Sequence, residues 1–144
     1  MTRYLLDTNL LIPLLWPRHT ERALVVRWFA ENGRGCFATS SFTQTGFLRL
    51  ASSAQVMKEP YSVLEARELL RRLTLEPGHA FWPTTIDVFE ATKNFEMRLH
   101  GPKQVTDAYL LGLAIHYGGK LATMDKRIVH LAGPECAEHV ELIG

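Results

Sequence analysis

Short apolar runs alternate along this chain with longer segments whose apolar residues recur at every third or fourth position. The short runs are typical of buried β-strands, and the longer segments are typical of helices with one buried face. Strands are predicted at Tyr4–Leu6, Cys36–Thr39, His79–Trp82, Lys120–Thr123 and His139–Ile143. Because helices separate these strands, right-handed crossovers should make them parallel and cover both faces of the sheet with helices. The pattern therefore predicts an α/β fold.

Six helices are predicted from the same periodicity and from residues that begin or end helices. They begin near Leu10, Thr20, Ser41, Ser62, Thr84 and Gln104. The clearest signature follows Ser62, where a capping-box spacing to Glu65 precedes an apolar stripe at Ala66, Leu69, Leu70 and Leu73. Ser41 and Gln44 have the same capping-box spacing, so Gln44 is expected in the first turn of the third helix.

Length and composition indicate one globular domain that spans residues 1–144. A hydrophobic content of 47% and a charged content of 22% exclude a disordered chain. The two cysteines, Cys36 and Cys136, are far apart and lack a CxxC spacing, which favours reduced thiols in a cytosolic protein. No segment has the order of a signal peptide, and the apolar runs are far shorter than the roughly 20 residues that span a bilayer. We therefore expect a cytoplasmic protein that does not enter membranes.

Net charge gives no general attraction to nucleic acid, because the formal value is only +1. A polyanionic substrate would therefore have to bind a local basic patch. The candidates for such a patch are Arg49, Lys103, Lys126 and Arg127.

Three aspartates fall where a parallel sheet gathers the carboxyl ends of its strands. Asp7 follows the first strand, Asp125 follows the fourth, and Asp107 lies in the first turn of the last predicted helix. Carboxylates that share a site repel one another, so they need raised pKa values or a cation, and Mg²⁺ or Mn²⁺ suits such oxygens. A site of this kind suits phosphodiester hydrolysis. Each aspartate also has a structural alternative, since Asp7 can cap a helix, Asp107 can favour a helix dipole and Asp125 can be a turn residue.

Four motifs occur in order over almost the whole chain: Leu5–Leu11, Thr43–Leu50, Val105–Leu110 and Leu121–Asp125. In this order and at this spacing they resemble the PIN-domain family and, within it, the VapC ribonuclease toxins of bacterial toxin–antitoxin pairs. The resemblance implies an α/β/α sandwich with a central, mainly parallel sheet, and a Mg²⁺-dependent endoribonuclease that acts on RNA. It also implies a homodimer and a cognate antitoxin protein that blocks the site. The family's catalytic and metal-binding acidic pocket maps onto Asp7, Asp107 and Asp125, with Thr123 as a polar neighbour.

The sequence departs from the family at Gln44, where many members carry a glutamate. The Gln44 amide offers an acceptor oxygen without a charge, so either three aspartates suffice or metal binding is weaker. Because the third helix starts beside the carboxyl end of the first strand, we expect Gln44 to face Asp7 and Asp107 as a further catalytic residue. The alternative is that Gln44 only completes the capping box with Ser41.

Two other functions compete with the ribonuclease. A catalytically weakened PIN module could bind RNA or a protein partner without cleaving RNA, and the neutral Gln44 favours that alternative. A phosphohydrolase of the haloacid dehalogenase type also places an aspartate after its first strand. That chemistry needs a second carboxylate two residues later, where this chain has Asn9.

Overall fold

The computed structural model describes residues 2–144 and contains a central sheet of five strands. The strands are β1 (Tyr4–Leu6), β2 (Phe37–Thr39), β3 (His79–Phe81), β4 (Lys120–Thr123) and β5 (Val140–Leu142). Their order across the sheet is β3-β2-β1-β4-β5, and all neighbouring pairs are parallel. The predicted parallel α/β fold is confirmed.

Within residues 2–144, seven α-helices connect or follow these strands. They are α1 (Thr8–Leu15), α2 (Arg22–Trp28), α3 (Ser41–Ala51), α4 (Val63–Thr74), α5 (Val88–Thr92), α6 (Val105–His116) and α7 (Lys126–Cys136). The sequence-based prediction lacks α7. This helix buries Ile128, Leu131 and Ala132 at helical spacing, but its regular backbone is interrupted at Gly133, where φ is +66°.

Two other predicted helices differ in detail from the structure. Thr20 does not cap the second helix, because α2 begins after Glu21 and has no side-chain cap. The helix expected after Thr84 is shorter, since Asp87 caps α5 and the chain continues as a 3₁₀ helix over Lys93–Arg98.

Two hydrophobic cores lie on opposite faces of the sheet. Successive residues of a strand point to opposite faces. Leu6 accordingly packs in the core formed with α1 to α4, and Leu5 packs in the core formed with α5 to α7. Both leucines are fully buried. The resulting layers are helix, sheet and helix, which confirms the expected α/β/α sandwich.

The centre of the sheet is a point at which the strand order reverses. From β1 the chain moves to β2 and β3 on one side, and it later crosses to β4 and β5 on the other side. Open parallel sheets place ligand sites outside the carboxyl ends of their strands at such a reversal. Asp7 directly follows β1, and Asp125 lies two residues beyond β4.

Among residues 2–144, no helix combines the length and the apolar character needed to cross a membrane. The thiols of Cys36 and Cys136 are free and buried.

Candidate metal-binding and nucleic-acid site

Asp7 is a buried carboxylate that caps the first helix. Only 7% of the residue is exposed. Oδ1 accepts a hydrogen bond of 2.8 Å from the backbone N–H of Thr8, and Oδ2 accepts one of 2.8 Å from the hydroxyl of Thr123. Within the part of the chain that the structure describes, no lysine, arginine or histidine forms an ion pair with Asp7. Asp7 is therefore a buried anionic group whose two hydrogen-bond donors are neutral.

Burial raises the pKa of Asp7 to about 6. The hydrogen bond from Thr123 opposes this rise in pKa, whereas the negative charges of Asp107 and Asp125 add to it. Removing a carboxylate from water disfavours its charged form, and neighbouring anions disfavour it further. The ionised form of Asp7 is consequently one that a bound cation would stabilise.

Asn9 and Thr123 orient the Asp7 carboxylate. The Thr123 hydroxyl oxygen accepts hydrogen bonds of 3.1 Å from the Asn9 side-chain amide and 3.1 Å from the backbone N–H of Asp125. Asn9 Oδ1 in turn accepts a hydrogen bond of 3.2 Å from the backbone N–H of Met124. With both acceptor sites of its oxygen in use, the Thr123 hydroxyl directs its only proton to Asp7. Asn9 therefore fixes the carboxylate through Thr123, a role that the sequence analysis did not assign to it.

Asp107 faces the same cavity as Asp7. It lies half-buried in the first turn of α6. Burial raises the pKa of Asp107 and the charge of Asp125 raises it further, while the charge of Arg127 lowers it. The structure thus brings Asp7 and Asp107 together, as the sequence predicts for this pair.

Asp125 is held differently, because it is paired with Arg127. Its carboxylate caps α7 by accepting the backbone N–H of Arg127 at 2.9 Å, and it accepts guanidinium hydrogen bonds of 3.0 Å from Nε and 2.8 Å from Nη2. These contacts lower the pKa of Asp125. Asp125 does not line the cavity of Asp7 and Asp107. In the described range 2–144, no three acidic, histidine or cysteine side chains are arranged as a ready cluster for a metal ion.

The structure places Gln44 differently from the sequence-based prediction. The residue that caps α3 is Ser40, whose capping box is completed by Thr43, so the box predicted for Ser41 and Gln44 is wrong. The Gln44 amide instead donates a hydrogen bond of 3.0 Å to the Thr39 hydroxyl. Its side chain lines a second cavity, between α3 and α4, and not the cavity of the two aspartates. The structure therefore does not bring Gln44 to Asp7 and Asp107.

The cavity beside Asp7 and Asp107 has a volume of about 510 Å³, which lies in the range of ligand sites. Helix α3 forms one wall through Ser41, Thr45 and Arg49, which are four residues apart and so share a helix face. Of these three residues, only Arg49 was predicted from the sequence to bind a substrate. Their regular spacing of four residues along α3 is the signal that would have identified the wall.

Gly46 allows α3 to lie close to the start of α1. A Cβ atom at this position would lie 2.8 Å from Oγ1 of Thr8, a contact too short for real side chains. Thr8 directly follows Asp7 and also lines the cavity. The width of the cavity at the Asp7 corner is consequently set by the backbone of Gly46.

The donor set of this cavity fits a hard divalent cation. Mg²⁺ prefers oxygen ligands, keeps several waters and is usually bound by one or two carboxylates together with substrate phosphates. Asp7 supplies a buried carboxylate with unused lone pairs, and Asp107 supplies a second carboxylate on the same cavity. Two carboxylates therefore suffice for a cation of this type.

Known proteins resemble this chain over nearly its whole length. The sequence model of the PIN domain matches residues 4–134. Ribonuclease VapC44 of Mycobacterium tuberculosis is 38% identical over 132 residues, which cover 92% of this chain and 92% of that protein. Ribonuclease VapC39 of the same organism is 33% identical over 134 residues, which cover 93% of this chain and 96% of that protein.

A solved structure shows the same fold at low sequence identity. The crystal structure of Mycobacterium tuberculosis VapC20, described as a toxin that cleaves the sarcin-ricin loop, superimposes with a TM-score of 0.68 and 15% identity. The match covers 98% of this chain and 99% of that one. The family match and the relatives above 30% identity agree with the fold, and the chain therefore belongs to the PIN-domain family, in its VapC group.

Proposed function

We propose that this protein is a divalent-metal-dependent endoribonuclease and the toxin of a VapBC-type toxin–antitoxin pair. The observation that carries the proposal is Asp7, a buried carboxylate that has no cationic partner among residues 2–144 and faces a cavity together with Asp107. The relatives VapC39 and VapC44 are named ribonucleases, which supports RNA as the substrate.

Asp7 and Asp107 are the residues that would hold Mg²⁺, with Mn²⁺ as a substitute. A bound ion of this kind lowers the pKa of a water and stabilises the charge that develops on a phosphodiester. The chain itself orients Asp7 through Thr123 and Asn9 and offers the Arg49 guanidinium on the opposite wall for a phosphate oxygen. Asp125 adds negative charge at the edge of the site, and its pairing with Arg127 reduces that contribution.

The non-cleaving alternative loses its main argument. It depends on the neutral Gln44 depriving the metal site of a charge, but Gln44 lies outside the cavity of Asp7 and Asp107. The ribonuclease is therefore the function that the site supports best.

The proposal includes a cognate antitoxin and a cytoplasmic site of action. Two solved structures with a fold like that of this chain are described as VapBC bound to DNA, one from Rickettsia felis and one from Salmonella typhimurium. By analogy we expect an antitoxin that covers the acidic cavity of this chain, and a homodimer of the toxin.

The decisive experiment is incubation of the purified protein with total RNA, with Mg²⁺ and with a chelator. We expect cleavage only with the metal, and we expect Asp7→Asn and Asp107→Asn to abolish it because each removes a charged ligand at constant side-chain volume. Glu96→Gln is the matched control, since Glu96 is exposed and its side chain has no partner among residues 2–144. Parental cleavage by both aspartate variants would refute the site, and intact RNA under all conditions would favour the binding module.

A further inference from the structure

A second cavity adjoins the acidic one across α3. It has a volume of about 270 Å³ and is lined by Gln44, Thr45, Leu48, Arg67, Leu70, Arg71 and Thr74. We call it the α3–α4 groove. Thr45 lines both this groove and the cavity of Asp7 and Asp107, so the two depressions meet at one side chain.

The groove is cationic, and none of the described residues that line it is acidic. Arg67 and Arg71 are its charged residues, and their separation of four places both on one face of α4. Both are exposed, and neither forms an ion pair within the described range 2–144. Arg49, in the neighbouring cavity, likewise has no ion pair in that range.

Other arginines of the chain behave differently. Arg72, adjacent to Arg71 in sequence, pairs with Glu68 at 3.3 Å. Arg34 pairs with Glu76, and Arg98 pairs with Glu135. Arg3 and Arg22 form no ion pair, but they donate to backbone carbonyls. Among residues 2–144, the arginines whose guanidinium forms neither an ion pair nor a hydrogen bond are Arg49, beside the acidic cavity, and Arg67 and Arg71, in the groove.

We propose that Arg67 and Arg71 form a phosphate-binding subsite for the part of an RNA strand that extends from the cavity of Asp7 and Asp107 over Thr45. The inference rests on the proposed function, since it identifies where the substrate lies. A guanidinium matches the planar geometry of phosphate oxygens with two parallel hydrogen bonds. Two such groups one helical turn apart, next to a neutral threonine and glutamine, suit a backbone of repeated negative charges.

The subsite acts on binding and not on the chemical step. Arg67 and Arg71 lie outside the cavity of the aspartates, so their loss should weaken RNA binding while the reacting phosphate keeps its surroundings. For a single strand, each phosphate contact contributes about 0.7 to the slope of log Kd against log salt concentration. Two contacts therefore contribute about 1.4 to this slope. Raising the salt from roughly 50 to 200 mM should then weaken RNA binding by the parent about sevenfold more than binding by a protein without the two arginines.

The test measures binding of a fluorescently labelled single-stranded RNA by anisotropy in the presence of a chelator, so that no cleavage occurs. The proteins are the parent, the double variant Arg67→Gln/Arg71→Gln, and the control Arg72→Gln. We expect the double variant to bind more weakly with a shallower salt dependence, and the control to match the parent. Equal salt slopes for parent and double variant would overturn the subsite, as would an equal loss in the control.

Two further measurements separate the competing explanations. Cleavage with Mg²⁺ tests the proposed function independently, and the double variant should show a raised KM with an unchanged kcat. A parent that does not cleave RNA refutes the ribonuclease, whereas a parent that cleaves together with unchanged KM in the double variant refutes only the subsite. Polyglutamate serves as the other polyanion, and loss of polyglutamate binding with retained RNA binding would show that the groove accepts an acidic protein segment instead.

Discussion

Asp7 and Asp125 follow two neighbouring central strands, yet their surroundings shift their pKa values in opposite directions. Leu6 of β1 pairs with Ala122 of β4, so the two aspartates leave the sheet at the same edge. Asp7 is buried, has neutral donors and has a pKa raised to about 6. Asp125 is paired with Arg127, which lowers its pKa.

The difference shows that position at the end of a strand does not define a cation site. Asp125 already has a counter-charge, and a second cation would compete with that arginine. Asp7 has no counter-charge among residues 2–144, so a cation that enters the cavity would stabilise its ionised form. Four experiments test whether Asp7 and Asp125 differ in this way.

The largest expected effect is on cleavage rate. Asp7→Asn should lower the single-turnover rate of RNA cleavage by more than about 100-fold, whereas Asp125→Asn should lower it by about 10-fold, the range seen for outer partners of a metal site. Thermal melting checks that both variants are folded. Equal losses in the two variants would show that Asp125 is as much a ligand as Asp7.

The second effect is on stability as a function of pH, without metal. The pKa of Asp7 is raised on folding from near 3.8 to about 6, so the folded state binds more protons in that window and loses stability as pH rises through about 6. From about pH 5 to about pH 8 this group should remove on the order of 1 kcal/mol from the free energy of unfolding. Denaturant titrations with a chelator measure it.

Asp7→Asn should remove that pH dependence, because it carries no titrating group at this position. Mg²⁺ should restore stability to the parent at the higher pH and leave Asp7→Asn unaffected. An identical pH profile for parent and variant would show that Asp7 does not titrate in this range.

The third effect concerns the arginine that neutralises Asp125. Arg127→Ala should free that carboxylate and lower the Mg²⁺ concentration needed for half-maximal thermal stabilisation by about two- to fivefold, the range of an exposed ion pair. Lys126→Ala is the matched control, because it removes a charge one residue away that has no carboxylate partner among residues 2–144. If both variants shift the Mg²⁺ titration equally, net charge and not the ion pair is responsible.

The smallest effect is expected at Gln44. Gln44→Glu should leave the Mg²⁺ titration unchanged, because the Gln44 side chain is hydrogen-bonded to the Thr39 hydroxyl and lines the α3–α4 groove. Thr45→Glu, one residue further, places a carboxylate on the wall of the acidic cavity and should lower the required Mg²⁺ concentration. A shift with Gln44→Glu as large as that with Thr45→Glu would place residue 44 at the metal after all.

The sequence predicted what depends on local pattern. The strands, their parallel arrangement and the positions of Asp7 and Asp107 follow from periodicity and from helix starts, and every predicted strand end lies within one residue of the observed end. The missed helix α7 has the required apolar spacing, but Gly133 and Pro134 within it are typical of a helix end.

What the sequence could not predict depends on side chains that meet only after folding. Asn9 and Thr123 are 114 residues apart, so their hydrogen bond is invisible to any local pattern. At α3 two adjacent serines each have a polar residue three positions later, and only the fold decides that Ser40 is the cap. With Ser40 as the cap, Gln44 lines the α3–α4 groove and Thr45 lines the cavity of Asp7 and Asp107.

The close packing of Gly46 against Thr8 restricts which residues can occupy position 46 beside Asp7. Any side chain at this position meets Oγ1 of Thr8 before it meets anything else. A residue larger than glycine at position 46 therefore requires the Thr8 side chain to move or to be replaced by a smaller one. Because the backbone N–H of Thr8 donates to Oδ1 of Asp7, a displacement of Thr8 that made room for such a residue would also move a hydrogen-bond donor of the carboxylate.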